Sequence, residues 1–270
     1  MQVYRGMDIG TAKPDQSSRR KYGYQLIDLV EPEDDLSVAE YQARGVRVIG
    51  ELVEEAKPII LAGGSGLHLR ALVDPFEFPP TDDELRSDLE ALPSRSLLAE
   101  LLAADPGAGD VVDLANPRRV LRAVEVFRLT GQTPTSRMAT PQATAVQDYV
   151  PNRPFVGIGV DPGEELAERV EQRFDAMLAA GLLEEVARLG PRMGRTASQA
   201  VGYRELIPVA DGQRSLEEGR AEAIRATMAL AKRQRTFFRR DPRIQWIPWH
   251  HDAEERSAAA WSHLEGSWTS

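Results

Sequence analysis

Residues 57–72 read KPIILAGGSGLHLRAL, and this stretch decides the fold class. Ile59, Ile60 and Leu61 form an unbroken apolar run closed by Gly63 and Gly64. A continuous run, unlike an alternating one, predicts a strand buried on both faces, the kind that parallel sheets contain. A helix from Val46 leads into it, and the glycines turn the chain out of it into a short helix. The first amide groups of that second helix are free to meet an anion. The same kind of run recurs in PFVGIGVD at 154–161, and IQWIPW at 244–249 predicts a closing strand. Buried strands alternating with helices define an α/β protein.

The segments between these strands are helical. DDELRSDLEAL, SLLAELLAAD and VLRAVEVFRLTG place apolar residues at i, i+3 and i+4, and the last is bounded by Asn116 as a cap, Pro117 in the first turn and Gly131 at its end. QTPTSRMATPQATAVQ, at 132–147, reads as a loop and mobile linker. Leu166, Val170, Phe174, Met177 and Leu178 form one helical stripe that Gly181 terminates. The pair Ser215 and Glu218 announces a long helix of about two dozen residues. After His250 the polar tail is expected to fray. The expected division is a core of 1–81 and 146–250, an inserted helical lobe at 82–145, and a tail at 251–270.

Composition narrows the function. With 270 residues, 42% of them hydrophobic, the chain supports no more than two domains. It has no cysteine, which excludes disulfides and thiolate metal sites. His68, His250, His251 and His263 lack ligand spacing, so no zinc site is expected. No apolar run reaches about 18 residues and no basic leader precedes one, so a soluble, cytoplasmic protein without membrane contact is expected; it is also expected to be a monomer. The net charge of −9 argues against indiscriminate binding of polyanions. Local strips differ: KRQRTFFRRDPR, at 232–243, sets six cations against the single acid Asp241. Phe237 and Phe238 lie between those cations, the mixture that holds phosphates while rings pack or stack.

Several blocks follow one another in a recognisable order: MQVYRGMDIGTAKP at the start, LIDLVEPEDDLSVAEYQ, GGSGLHLRAL, DDELR, NPRRVLRAVEVFRLTG, RFDAMLAAGLLEEV, AVGYREL and AKRQRTFFRR. Together they resemble the tRNA dimethylallyltransferases, also called tRNA isopentenyltransferases, over roughly residues 1–247. The resemblance implies a P-loop-NTPase-like parallel-sheet core missing its first strand and P-loop, with an inserted helical domain. It implies transfer of a dimethylallyl group from dimethylallyl diphosphate to the exocyclic amine of the adenosine beside the tRNA anticodon, with the base flipped into a channel. Mg2+ on the substrate diphosphate is expected as cofactor, with protein ligands unknown. The implied catalytic residues are Ser65 and Arg86, and Gly64, Ser65 and Gly66 would hold the diphosphate. The implied partner is the anticodon stem-loop of tRNA. It would be bound by Met1, Gln2, Arg86, Arg118, Arg119 and Arg122, by Gln199, Gly202, Tyr203 and Arg204, and by Lys232, Arg233, Gln234, Arg235, Phe238 and Arg239.

The departures from that pattern concern catalysis. No GxxxxGK[ST] loop occurs in the 270 residues, and the Asp that the resemblance places just before the opening block is absent. Met228 and Gly163 stand where arginines are expected, and Tyr24 and Gln25 replace a His pair. Either about thirty upstream residues belong to the protein or this is a divergent paralogue, and little activity is expected of the chain alone. The alternatives are a non-catalytic tRNA-binding protein and a prenyltransferase of free adenine nucleotides. A kinase or NTPase is disfavoured by the missing Walker lysine.

Overall fold

The structure, a computed structural model, describes residues 1–265. In chain order its helices are α1 (Gln16–Tyr22), α2 (Val38–Glu54), α3 (Gly66–Val73), α4 (Asp83–Glu90), α5 (Ser94–Ala104), α6 (Pro117–Thr130), α7 (Pro134–Met138) and α8 (Pro141–Gln147). After strand β1 (Gly157–Asp161) come α9 (Leu166–Ala179), α10 (Leu182–Leu189), α11 (Tyr203–Ala210) and α12 (Leu216–Phe238). Strand β2 (Ile244–Pro248) and α13 (Ala253–Leu264) complete the order. β1 and β2 pair in parallel, with Gly157 opposite Ile244 and Asp161 opposite Pro248. The architecture is mixed α/β with a small parallel sheet.

The chain forms two compact units, Met1–Leu72 with Phe155–Ser270, and Val73–Pro154. In the first, Tyr4 and Met7 of the opening segment pack with Phe174, Leu182, Val186, Tyr203 and Leu206 into one core. The opening segment is therefore a core element, and a parallel bridge from Tyr4 to Val30 ties it down. In the second unit, Leu89, Leu97, Leu101, Val120 and Val124 form the core. The i, i+3, i+4 spacing of α4, α5 and α6 turns these residues inward.

Local signals fixed many boundaries. Asn116 accepts from the Arg118 amide at the start of α6, and Gly131 closes it at φ 71°. Ser215 and Glu218 form the reciprocal capping box of α12, and Ser37 with Glu40 does the same for α2, which starts eight residues before the expected Val46.

Three expectations are corrected. The strand expected at KPIILAGG is not formed, and Ile60 is 81% exposed. An apolar run has the capacity for a buried strand, but burial also needs a neighbouring ladder, and no described strand pairs with this one. The loop expected at 132–147 instead holds α7 and α8, each begun by a Thr cap and a first-turn Pro. The tail expected to fray forms α13, capped by Asp252; the part of that tail at 266–270 lies outside the described residues.

Candidate functional site

The GGSG turn and the basic end of α12 meet in the first unit. A Cβ on Gly64 would lie 2.3 Å from the Gln234 amide nitrogen, and one on Gly66 2.0 Å from the Phe237 ring. At Gly66 any side chain would force the packed Phe237 ring to shift, whereas at Gly64 it would meet only the end of a flexible glutamine. The Ser65 carbonyl accepts the Leu69 amide and opens α3. Its hydroxyl caps nothing; it lies 2.7 Å from Nδ1 of His68. Burial lowers the His68 pKa, favouring the neutral ring, and Tyr41 meets that ring edge-on at 4.9 Å. The turn thus offers an exposed hydroxyl, oriented by an imidazole, beside the unpaired first amides of a helix.

The α12 cations divide into two groups. Arg235 and Arg239 both donate to Oδ2 of Asp161, at 3.1 and 2.9 Å. Burial alone raises the Asp161 carboxyl, but the Gly163 amide and the two arginines outweigh it and hold it below the ordinary carboxylate range. Lys232 and Arg233 are exposed and form no ion pair among the described residues. Phe238 packs edge-to-face on Phe237 at 5.4 Å. Gly64 and Gly66 are therefore brought against Gln234 and Phe237 of α12, the helix that carries Lys232, Arg233, Arg235 and Arg239.

Residues of the opening segment take structural partners. Gln2 donates its side-chain amide to the carbonyls of Thr11 and Ala12, at 3.0 and 3.2 Å. Met1 is exposed. Tyr203, expected to bind tRNA, is corrected to the core: it is fully buried and donates to Glu185. Burial, reinforced by that carboxylate, pushes the Tyr203 hydroxyl far above its ordinary pKa. Gly202 is buried too, at φ 94°, whereas Gln199 and Arg204 are exposed. Arg204 pairs with Glu205.

The second unit, taken by itself, brings Arg86 and Arg122 to one buried carboxylate. Glu125 is fully buried and lies 2.8 Å from Arg122 and 3.6 Å from Arg86. Arg122 also donates to the carbonyls of Pro79 and Pro80. The three α6 arginines expected to bind tRNA therefore do not share one environment. Arg118 and Arg119 are exposed, while Arg122 is committed to Glu125.

Sequence reasoning passed over His68, Asp161 and Glu185. The i+3 spacing from Ser65 to His68 was a usable signal. Nothing local marks the pairing of Asp161 with α12, which spans 74 and 78 residues.

Among the described residues no group of three or more His, Asp or Glu could hold a metal ion. No described helix is long and apolar enough to cross a membrane.

A glycine turn opening a helix against a basic helix end is a layout for a phosphate-bearing substrate, and comparison with known proteins defines the class. The IPP transferase family model matches residues 2–241, and the chain belongs to that family. More particularly, it is 44% identical over 255 residues to the tRNA dimethylallyltransferase of Streptomyces avermitilis, covering 92% of this chain and 79% of that protein. Two crystal structures are similar at TM-score 0.67. One is the tRNA delta(2)-isopentenylpyrophosphate transferase of Staphylococcus epidermidis, 29% identical, with 99% of this chain and 88% of that one covered. The other is the tRNA isopentenylpyrophosphate transferase of Bacillus halodurans, 30% identical, with 99% and 85% covered.

Proposed function

We propose that this chain transfers a dimethylallyl group from dimethylallyl diphosphate to the exocyclic amine of the adenosine beside the anticodon of tRNA. The observation that carries the reading is the meeting of the GGSG turn with the basic end of α12, in a member of the IPP transferase family. As the allylic C–O bond breaks, a C–N bond forms to the adenine amine, the amine gives up a proton, and negative charge grows on the departing diphosphate. Donors aimed at that charge lower the barrier. Ser65 and the first amides of α3 are such donors, and Gly64 and Gly66 let the backbone approach.

Arg86 is read as a second catalytic residue. Gln2 reads the base, and Lys232, Arg233, Arg235 and Arg239 hold backbone phosphates of the anticodon stem-loop. Mg2+ would sit chiefly on diphosphate oxygens, which suits a chain whose described residues offer no carboxylate cage. Bound there, it would neutralise diphosphate charge. The sheet is read as part of a P-loop-NTPase-type core, the protein as a cytoplasmic monomer. Because Met228 and Gly163 replace expected arginines, turnover is slow.

The test is incubation of the chain with an anticodon hairpin and dimethylallyl diphosphate, followed by mass spectrometry of the digested nucleosides. A prenylated adenosine at one position is expected. A salt-sensitive complex that yields no prenylated product would favour a non-catalytic RNA-binding protein. Prenylation of free adenine nucleotides in preference to the hairpin would contradict the role given to the basic helix.

A further inference from the structure

The carboxylate of Glu185 sits inside the opening segment. It accepts the Asp8 amide at 3.0 Å, the Ile9 amide at 2.9 and 3.1 Å and the Gly10 amide at 3.2 Å. The Tyr203 hydroxyl donates to the same group. A Cβ on Gly10 would lie 2.4 Å from the Tyr203 ring, so the loop seats directly on that phenol. Three successive backbone donors around one anion form a nest, here filled from within the protein.

The nest continues into the base-reading side chain. Directly after Gly10, the carbonyls of Thr11 and Ala12 take both hydrogen bonds of the Gln2 amide nitrogen. The same turn is closed by Ala12 donating to the Ile9 carbonyl at 2.9 Å and Lys13 to the Asp8 carbonyl at 3.0 Å. With its NH2 group spent, Gln2 presents only Oε1, an acceptor with no partner among the described residues. An acceptor fixed there suits a purine bearing an exocyclic amine.

We propose that Glu185, with Tyr203, is a positioning residue for base recognition, holding the 8–12 turn so that Gln2 offers its carbonyl oxygen to the amine of the target adenine. This rests on the tRNA reading above. Glu185 touches no substrate; it acts through the turn. Replacing its carboxylate by an amide sets an NH2 group against a nest of donors and frees the turn that orients Gln2.

The test measures binding of two anticodon hairpins, one with adenosine at the target position and one with purine lacking the amino group. Wild type is expected to favour adenosine by two- to tenfold, about what one neutral hydrogen bond carries. E185Q and Q2A are each expected to bring the ratio to about one, and the double variant to be no worse than either, because both act on one contact. Y203F, which removes one of the four donor groups, is expected to lower the ratio partway and serves if E185Q does not fold. A preference undiminished from wild type in E185Q or in Y203F overturns the positioning role alone. Additive losses in the double variant do the same. A wild type that binds neither hairpin overturns both this inference and the proposed function.

Discussion

Asp161→Asn is the substitution through which the proposed RNA surface is most directly questioned. Arg235 and Arg239 share Oδ2 of Asp161, so the three groups together carry one net positive charge. Neutralising the aspartate exposes a second. The competing effect is loss of the carboxylate that holds both guanidinium groups in place. Arg239 is 55% exposed, and ion pairs at such positions contribute only about 0–1 kcal/mol. The Gly163 amide that Asp161 accepts through Oδ1 can still be accepted by the asparagine carbonyl. The gain in charge therefore outweighs the loss of positioning. Each phosphate neutralised adds about 0.7–0.9 to the slope of log K against log salt. Asp161→Asn should then bind an anticodon hairpin more tightly at low salt, with a slope steeper by about that amount. Its advantage should shrink about threefold between roughly 50 and 200 mM salt. Fluorescence anisotropy across a salt series reads both quantities. A slope equal to or shallower than that of the wild type would refute phosphate contact by this pair.

Two further substitutions examine the packing and the charges of the first unit. Gly66→Ala drives a methyl group into the Phe237 ring, an overpacking worth about 1–3 kcal/mol, against which alanine's helix preference offsets at most about 1 kcal/mol. Urea denaturation should show a loss in the wild-type background and a gain in a Phe237→Ala background; equal effects in both would mean that turn and helix do not touch. Burial alone raises the Asp28 carboxyl, but hydrogen bonds from Lys13 and Arg19 outweigh it and leave its pKa lowered. A lowered folded pKa stabilises the fold above the unfolded value of about 4 and ceases to do so as pH falls through the folded one. Asp28→Asn should therefore be less stable than wild type near neutrality, by about 1–3 kcal/mol, with the gap closing in acid; a gap constant from pH ~7 to ~3 would contradict the pairing.

What the sequence made legible is what short-range chemistry decides. Asn116, Pro117 and Gly131 bounded α6 because a cap, a fixed φ and a left-handed residue act within one turn of the helix. Thr133–Pro134 and Thr140–Pro141 carried the same signal, and reading the segment by composition alone hid α7 and α8. The run Ile59–Leu61 misled in a different way, since hydrophobicity reports what a segment can bury and not whether a neighbour exists to bury it. At the site, the glycine turn and the basic strip were visible, but their contact was not, because Gly66 and Phe237 meet only through tertiary packing. Tyr203 shows the remaining difficulty. An aromatic beside an arginine suits an RNA channel and a core equally well, and its complete burial and hydrogen bond to Glu185 decide for the core.

The claim on which the account stands is that the Ser65 hydroxyl meets charge developing on the diphosphate. Single-turnover prenylation of an anticodon hairpin by wild type, Ser65→Ala and Ser65→Thr tests it. Loss of one such donor is expected to slow the alanine variant by about 100-fold or more, with hairpin affinity unchanged, while threonine, which keeps the hydroxyl, stays near wild type. Equal rates for serine and alanine would contradict the assignment of this turn as the reaction centre.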